Sequence, residues 1–421
     1  MAIVSELHAS NASDRRLYAC FLLTCAAGCV TMVIVYNWWS RFEDLLSRSH
    51  LVRPGSPSVY RLVPKRRTTT GTWTRITVTD RKPHQSNKTM VLVGETGTGK
   101  STLINAVFNY VQGVTWEDNV WFEIADKDGD TRRQSESQTR TVTVYEMCGG
   151  GTVDLCVTVV DTPGYGDTRG VDRDQHITTG FLDLLCSHEG VDGVDLVGVV
   201  LKATDNRLSD RLLYVWDSVT SLFGKDLDRN MVALISHSDG MKPEDALRAL
   251  EDAHVPLSKD QNQEPLYFLF NNRQTTPRQK RTVRHLQSSW QTSTDGLKEL
   301  MDFMHKREPQ NLKTTLEVLQ ERIRLESCIR KLKEELDGTD APLNTDESLD
   351  QAVDHILHLD QIALNVDSLS TYVHLDFLIQ KMKEKGDAEK VQKLEEMEGR
   401  INERTKTAMW FACAFTVGLK Q

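Results

Sequence analysis

The chain has no surplus of positive charge, no cysteine pattern and almost no long apolar runs. Its 60 acidic residues outnumber 51 lysines and arginines, for a net charge of −9 over 421 residues. That balance gives no support for nucleic-acid binding, which needs a basic face to meet phosphate. Eight cysteines are present without paired spacing: Cys20, Cys25 and Cys29 share one apolar run and five are scattered. Neither a zinc site nor a disulfide framework follows, and scattered thiols suit a reducing cytosol. His254, His285 and His305 lie near polar residues without metal spacing and read as surface or packing side chains. The apolar run at 409–419 is too short to span a bilayer.

One apolar run is long enough. Residues 17–39 are uncharged and end in Asn37-Trp38-Trp39, which suits a bilayer-spanning helix with an interfacial tryptophan pair. The run is too long for a cleaved signal peptide and lacks an A-x-A site. Arg15 and Arg16 precede it, whereas Arg41, Arg48, Arg53, Arg61, Lys65, Arg66 and Arg67 follow it. This bias places the C-terminal side in the cytosol, and the basic segment could rest on anionic lipid.

What is present most distinctly is Gly94-Glu95-Thr96-Gly97-Thr98-Gly99-Lys100-Ser101, a G-x-x-x-x-G-K-[ST] phosphate loop. Glycines let the backbone fold round a phosphate chain with its N–H groups inward. Lys100 would sit over the β- and γ-phosphates, and Ser101 would ligate Mg²⁺. A short apolar strand, 89–93, precedes the loop, and a helix starting with Thr102 follows, its N-terminal dipole facing the anion. A second strand, 157–160, ends at Asp161-Thr162-Pro163-Gly164. Asp161 would hold Mg²⁺ through water, and the Gly164 N–H would meet the γ-phosphate. A later strand, 231–235, ends in Ser236-His237-Ser238-Asp239. The Asp239 carboxylate suits guanine N1–H and N2–H₂, and adenine offers neither. The strand at 266–271 ends in Asn271-Asn272-Arg273, which puts Asn271 at the base as well.

These four motifs in chain order resemble the septin-like branch of the GTPase superfamily. Asp161-Thr162-Pro163-Gly164-Tyr165-Gly166-Asp167 is similar to the septin second switch. Asp167-Thr168-Arg169-Gly170 and Phe270-Asn271-Asn272-Arg273 look more like the immunity-associated (GIMAP) group and its fish relatives with a helical C-terminal extension. The resemblance covers about 88–306 and extends loosely to 317–323. It implies GTP/GDP and Mg²⁺ as ligands, and a homodimer or oligomer formed through the nucleotide face. Ser137-Gln138-Thr139-Arg140-Thr141 resembles the first switch of that group, with Thr139 as its Mg²⁺-ligating residue and Thr141 as the alternative. Together with Lys100 and Gly164, Thr139 completes the expected catalytic set. Two departures stand out. His237 replaces a lysine that packs along guanine in many GTPases, and Tyr165 stands where efficient Ras-type enzymes place a water-orienting glutamine. The expectation is slow or dimerisation-dependent GTP hydrolysis, with Arg169 or the segment around His176 as candidate helpers. The alternative is a non-hydrolysing scaffold that oligomerises on membranes.

The expected organisation is a tail at 1–16, a transmembrane helix at 17–39, a basic polar linker at 40–87 with a short strand at 72–79, and a G domain at 88–306. An amphipathic helix at 307–340, packing on the G domain or forming a coiled coil with another chain, and a helical region at 341–421 complete it. Within the G domain the pattern predicts strands at 89–93, 141–146, 155–160, 194–201, 231–235 and 266–271. It predicts helices near 100–111, 172–187, 206–223, 243–252 and 294–306. Such alternation makes an α/β domain with a mainly parallel sheet covered on both faces. Trp116, Trp121 and Phe122 should pack part of the charged 113–137 stretch onto it.

Overall fold

The computed structural model describes residues 41–125, 141–149, 155–163, 172–191, 193–205, 210–337, 345–365 and 374–400. A helical segment at 41–47 leads into β1 (Ser49–Arg53), β2 (Ser58–Leu62), β3 (Arg66–Thr70), β4 (Trp73–Thr77) and β5 (Ser86–Val93). Then come α1 (Lys100–Val111), β6 (Val120–Glu123), β7 (Val142–Cys148), β8 (Leu155–Asp161), α2 (Asp172–Cys186), β9 (Gly193–Val194) and β10 (Leu196–Lys202). They are followed by α3 (Asp210–Thr220), β11 (Met231–Ser236), α4 (Glu244–Asp252), β12 (Tyr267–Leu269), α5 (Val283–His305) and β13 (Gln310–Asn311). The last described elements are α6 (Lys313–Asp337), α7 (Thr345–Ile362), α8 (Leu375–Lys385) and α9 (Ala388–Arg400).

The main sheet runs β12-β11-β10-β5-β8-β7-β4-β3. Its pairs are parallel except β7 with β8 and β3 with β4. Strands that are apolar throughout are explained by two covered faces. Along β5, Met90 and Leu92 enter one core while Val91 and Val93 enter the other. The same period of two divides β11: Val232 and Leu234 face α1 and α5, whereas Met231, Ala233 and Ile235 face α2, α3 and α4. Fully burying each such Val, Leu, Ile or Met side chain stabilises the fold by about 1.5–3 kcal/mol.

The basic stretch read as a linker folds. β3 and β4 extend the main sheet, with β4 pairing in parallel to β7 from Trp73↔Val142 to Thr77↔Glu146. The β1–β2 hairpin joins β6 in a second sheet, and Val59, Tyr60 and Leu62 enter the core with Phe42, Leu45 and Phe122. Few apolar residues, set among arginines and threonines, suffice because β2 and β4 each find a strand of the G domain to pair with. The stretch after α1 packs as expected: Trp116 and Trp121 sit edge-on to Trp290, with centroids 5.8 and 5.7 Å away.

Apolar residues leading into and along α6 recur three or four apart in two offset sets, Leu312, Leu316, Leu319 and Ile323, then Leu325, Ile329, Leu332 and Leu336, and the offset marks a change of neighbour. Leu312 and Leu319 close the G-domain core, whereas Leu325, Ile329 and Leu332 pack with Leu349, Val353, Ile356 and Leu359 of α7. The apolar side of α6 is therefore covered by its own chain, not by a coiled-coil partner. Glu317 faces His358 and Glu321 faces His355, so α6 and α7 run antiparallel. The cysteine reading also needs correction: Cys148 and Cys156 form a disulfide, so the cysteines do not argue for a reducing cytosol. The β7–β8 register sets them directly opposite each other, which spacing alone does not reveal. Among the described residues, no helix is long and apolar enough to cross a membrane; the runs at 17–39 and 409–419 lie outside them.

Candidate functional site

The phosphate loop leaves β5 at the C-terminal edge of the sheet and turns into α1. Gly94, Gly97 and Gly99 all have positive φ, at 145°, 85° and 97°. At Gly94 space is also limiting, since a Cβ there would come within 2.4 Å of the Val200 carbonyl oxygen. No acidic residue occupies the first turn of α1, and no side chain caps its start. Its N-terminal amides are therefore available to an anion. Lys100 is buried, and its Nζ donates to the Gly94 and Glu95 carbonyls at 2.7 and 3.0 Å. Burial lowers its pKa to about 8, against the opposing pull of Asp161 and Glu95. Inside the same loop the Thr96 hydroxyl is buried without a hydrogen-bond partner. An inward cationic nitrogen, an unsatisfied hydroxyl and a glycine turn with no room for a Cβ at Gly94 fit a bound phosphate chain.

Asp161 ends β8 beside the loop and is 1% exposed. Thr162 next to it locks the strand end, its hydroxyl donating to the Leu92 carbonyl at 2.9 Å. Ser101 is half-buried in the first turn of α1, and Thr102 is exposed. A hydroxyl at 101 and a buried carboxylate at 161 are hard oxygen donors of the kind Mg²⁺ prefers.

At the other side, β11 ends in the base-reading turn. His237 adopts φ 55°, and Asp239 points outward into solvent, one carboxylate oxygen accepting from the Met241 N–H at 2.9 Å. Asn271 braces this turn: its side-chain N–H donates to the Ser238 carbonyl at 2.7 Å, while its backbone N–H donates to Ser293 Oγ at 2.9 Å. Ser236 joins the two halves of the site. Its hydroxyl donates to the Thr98 carbonyl of the phosphate loop at 2.7 Å and lies 3.0 Å from His237 Nδ1. With that proton committed to Thr98, Nδ1 must be the donor to Ser236, which leaves Nε2 as the acceptor face of a neutral ring. Neutrality suits the position, because burial, then Lys202 and Arg273, push the His237 pKa down.

Residues 88–292 match the AIG1 family. This region is an AIG1-family domain, a septin-like P-loop GTPase domain. A 79-residue stretch is 43% identical to Septin-2B of Xenopus tropicalis, covering 19% of each protein. The chain thus spans about a fifth of that septin's length. Among solved structures, a dimerization-deficient mutant of Toc33 from Arabidopsis thaliana aligns over 54% of this chain and 88% of its own, at 13% identity and TM-score 0.36. Toc33 in complex with Mg²⁺ and GMPPNP aligns over the same shares at 14% identity and TM-score 0.35. Likeness at that level carries no argument about this chain.

Within the AIG1 domain the structure brings together residues 94–102, Asp161, His237, Asp239 and Asn271 along one edge of the sheet. Thr139 and Gly164 lie outside the described residues, as do Tyr165 and Arg169, whereas Thr141 is exposed at the start of β7. Asn271 acts on the turn as well as lying near the base position. Sequence reasoning quoted Ser236 and Thr162 without giving either a role and missed Ser293. Ser236 and Thr162 carry only the signal of a small hydroxyl at a strand end, and Ser293 that of one serine within α5, each too common to single out.

Proposed function

We propose that the protein is a guanine-nucleotide switch, binding GTP and GDP with Mg²⁺, with slow or dimerisation-dependent hydrolysis, tethered to a membrane by residues 17–39 with the AIG1 domain in the cytosol. The observation that carries this is the Ser236 tie, which sets a phosphate loop and a guanine-type aspartate at fixed separation on adjoining parts of one edge. Lys100 holds its ammonium where charge grows on the γ-phosphate as water attacks in line. Ser101 and Asp161, with Thr139 by family resemblance, would hold Mg²⁺, which when bound neutralises phosphate charge. Asp239 selects guanine through two accepted hydrogen bonds, and His237 offers a neutral ring face beside it. Thr139 and Gly164 are the switch groups by resemblance, and Tyr165 in the water-orienting position favours slow turnover or help from a second copy.

Multiple-turnover phosphate release across a range of protein concentrations tests the enzyme reading. Release that rises more than linearly with protein supports it. Release at background throughout leaves the scaffold reading, which Tyr165 also favours. Displacement of labelled GDP by ATP as readily as by GTP would overturn the guanine assignment.

A further inference from the structure

The AIG1 domain is acidic as part of an acidic chain, yet one stretch of it is not. Residues 265–294 contain no acid, and 273–284 carry Arg273, Arg278, Lys280, Arg281 and Arg284. Lys280, Arg281 and Arg284 are exposed, and none forms an ion pair among the described residues. This segment is fastened to the N-terminal hairpin. Arg53 donates to the Thr275 carbonyl, and the Arg278 N–H donates to the Ser56 carbonyl at 2.7 Å. The Arg278 guanidinium stacks 3.4 Å from the Trp116 ring centroid. Beside Arg53 on β1, Leu51 and Val52 are 37% and 49% exposed, and Val63 past β2 is 46% exposed. Among the described residues only Met241 is another large apolar side chain left so open.

Chain geometry says what such a face meets. The uncharged run ends at Trp39, and β1 begins at Ser49. The helical segment 41–47 and its short flanks allow at most about 25 Å between them. A span at 17–39 therefore delivers this hairpin to the bilayer surface.

We propose that the face formed by Leu51, Val52, Arg53, Lys280, Arg281 and Arg284 lies on an anionic lipid bilayer. Leu51 and Val52 sit at headgroup depth, and the four cations meet lipid phosphate and carboxylate. The proposal rests on the membrane-anchored reading and adds an orientation to it. The basic segment 273–284 follows closely after the turn-bracing Asn271, so the base-side rim of the nucleotide site is held near the membrane.

The test uses the full-length chain reconstituted with neutral phosphatidylcholine vesicles, or with vesicles also containing phosphatidylserine. Flotation reports anchoring, and hydrogen exchange over 49–54 and 276–286 reports the face. The expected result is flotation with both vesicles and slowed exchange in both peptides with the anionic ones alone, relieved by high salt. Each cation at an anionic surface favours contact about fivefold. The Lys280→Gln/Arg281→Gln/Arg284→Gln variant should therefore lose about a hundredfold in occupancy. It should show neutral-vesicle exchange while still binding nucleotide as its check of folding. Flotation with both vesicles but equal exchange overturns the face and leaves anchoring standing. Flotation with anionic vesicles alone, with protection, supports the face and overturns the anchor. Flotation with neither overturns both. Protection that grows with protein concentration without vesicles assigns the face to a second copy and also overturns the proposal.

Discussion

Removing the Ser236 hydroxyl should loosen the site without touching a nucleotide-binding group. In Ser236→Ala the Thr98 carbonyl loses a 2.7 Å donor, and His237 Nδ1–H loses its acceptor at 3.0 Å. Thr98 is 2% exposed and Ser236 is 7% exposed, so water does not readily replace the lost bond. Leaving a buried group unsatisfied costs about 1–3 kcal/mol. Lost equally from free and bound protein, that sum would lower stability alone. The hydroxyl also pre-sets the loop against the base turn, so part of the cost should appear in binding. The ceiling is the same about 1–3 kcal/mol, or about five- to 150-fold in GDP affinity. Titration with a fluorescent guanine nucleotide, beside thermal unfolding of the nucleotide-free protein, separates the two parts. His237→Ala completes a double-mutant cycle, in which a coupling of at least about 0.5 kcal/mol is expected. A Ser236→Ala protein with unchanged affinity and additive behaviour with His237→Ala would refute the tie as an organiser of the site.

Other expectations follow from single contacts. Lys100 has a pKa near 8 in the free protein because burial disfavours its charge, whereas phosphate needs the ammonium. Nucleotide affinity should thus fall above pH 8, by up to about tenfold per pH unit, as binding takes up a proton. The nucleotide-free domain should instead gain stability as pH rises from about 8 towards the ordinary lysine value of 10.5. Lys100→Met should remove both slopes and abolish binding, measured by titration and thermal melts across pH. Asp239→Asn should weaken GTP and strengthen XTP, because the amide donates to the carbonyl that xanthine carries at C2; competition titration checks this. Gly296→Ala should destabilise by about 1–3 kcal/mol or more in denaturant unfolding, since a Cβ there lies 2.1 Å from the Leu269 carbonyl oxygen. Thiol alkylation with mass analysis should find Cys148 and Cys156 blocked until reduction. Reduction should then cost about 2.5 kcal/mol of stability on the loop-entropy estimate.

Much of the site was legible because each motif is local. A strand, a glycine turn and a lysine within 89–100, or a strand ending in Asp239, are read from neighbours in sequence. The alternation along β5 and β11 likewise follows from adjacent residues. What was not legible depends on register or on partners far along the chain. Arg66–Thr70 is exposed at nearly every position and reads as a polar tether, yet it forms β3 against β4. Cys148 and Cys156 become a pair through a hairpin register. Ser236 gains its role from Thr98, 138 residues away. The offset between the set ending at Ile323 and the set beginning at Leu325 was visible, but its cause, a change of neighbour from the G-domain core to α7, is tertiary.

The N-terminal strands also bear on how the switch region is held. β7 begins just after the segment resembling the first switch, and it would be an edge strand if the sheet ended there. Instead β4 pairs with it over five residues, and Arg75 and Thr77 both bind Glu146 across the two strands. Gly180 of α2 packs against Thr72 and Val142, so the helix after the second switch rests on the same junction. The hairpin proposed to lie on lipid joins this junction through β3 and β4, with no described gap between them. A rigid sheet transmits displacement more directly than a loop does. An anchored N-terminus would therefore constrain β7 and α2, the two elements that leave the switches. On this reasoning, deleting 40–79 should affect the domain through both strand pairing and helix packing, beyond the loss of a tether.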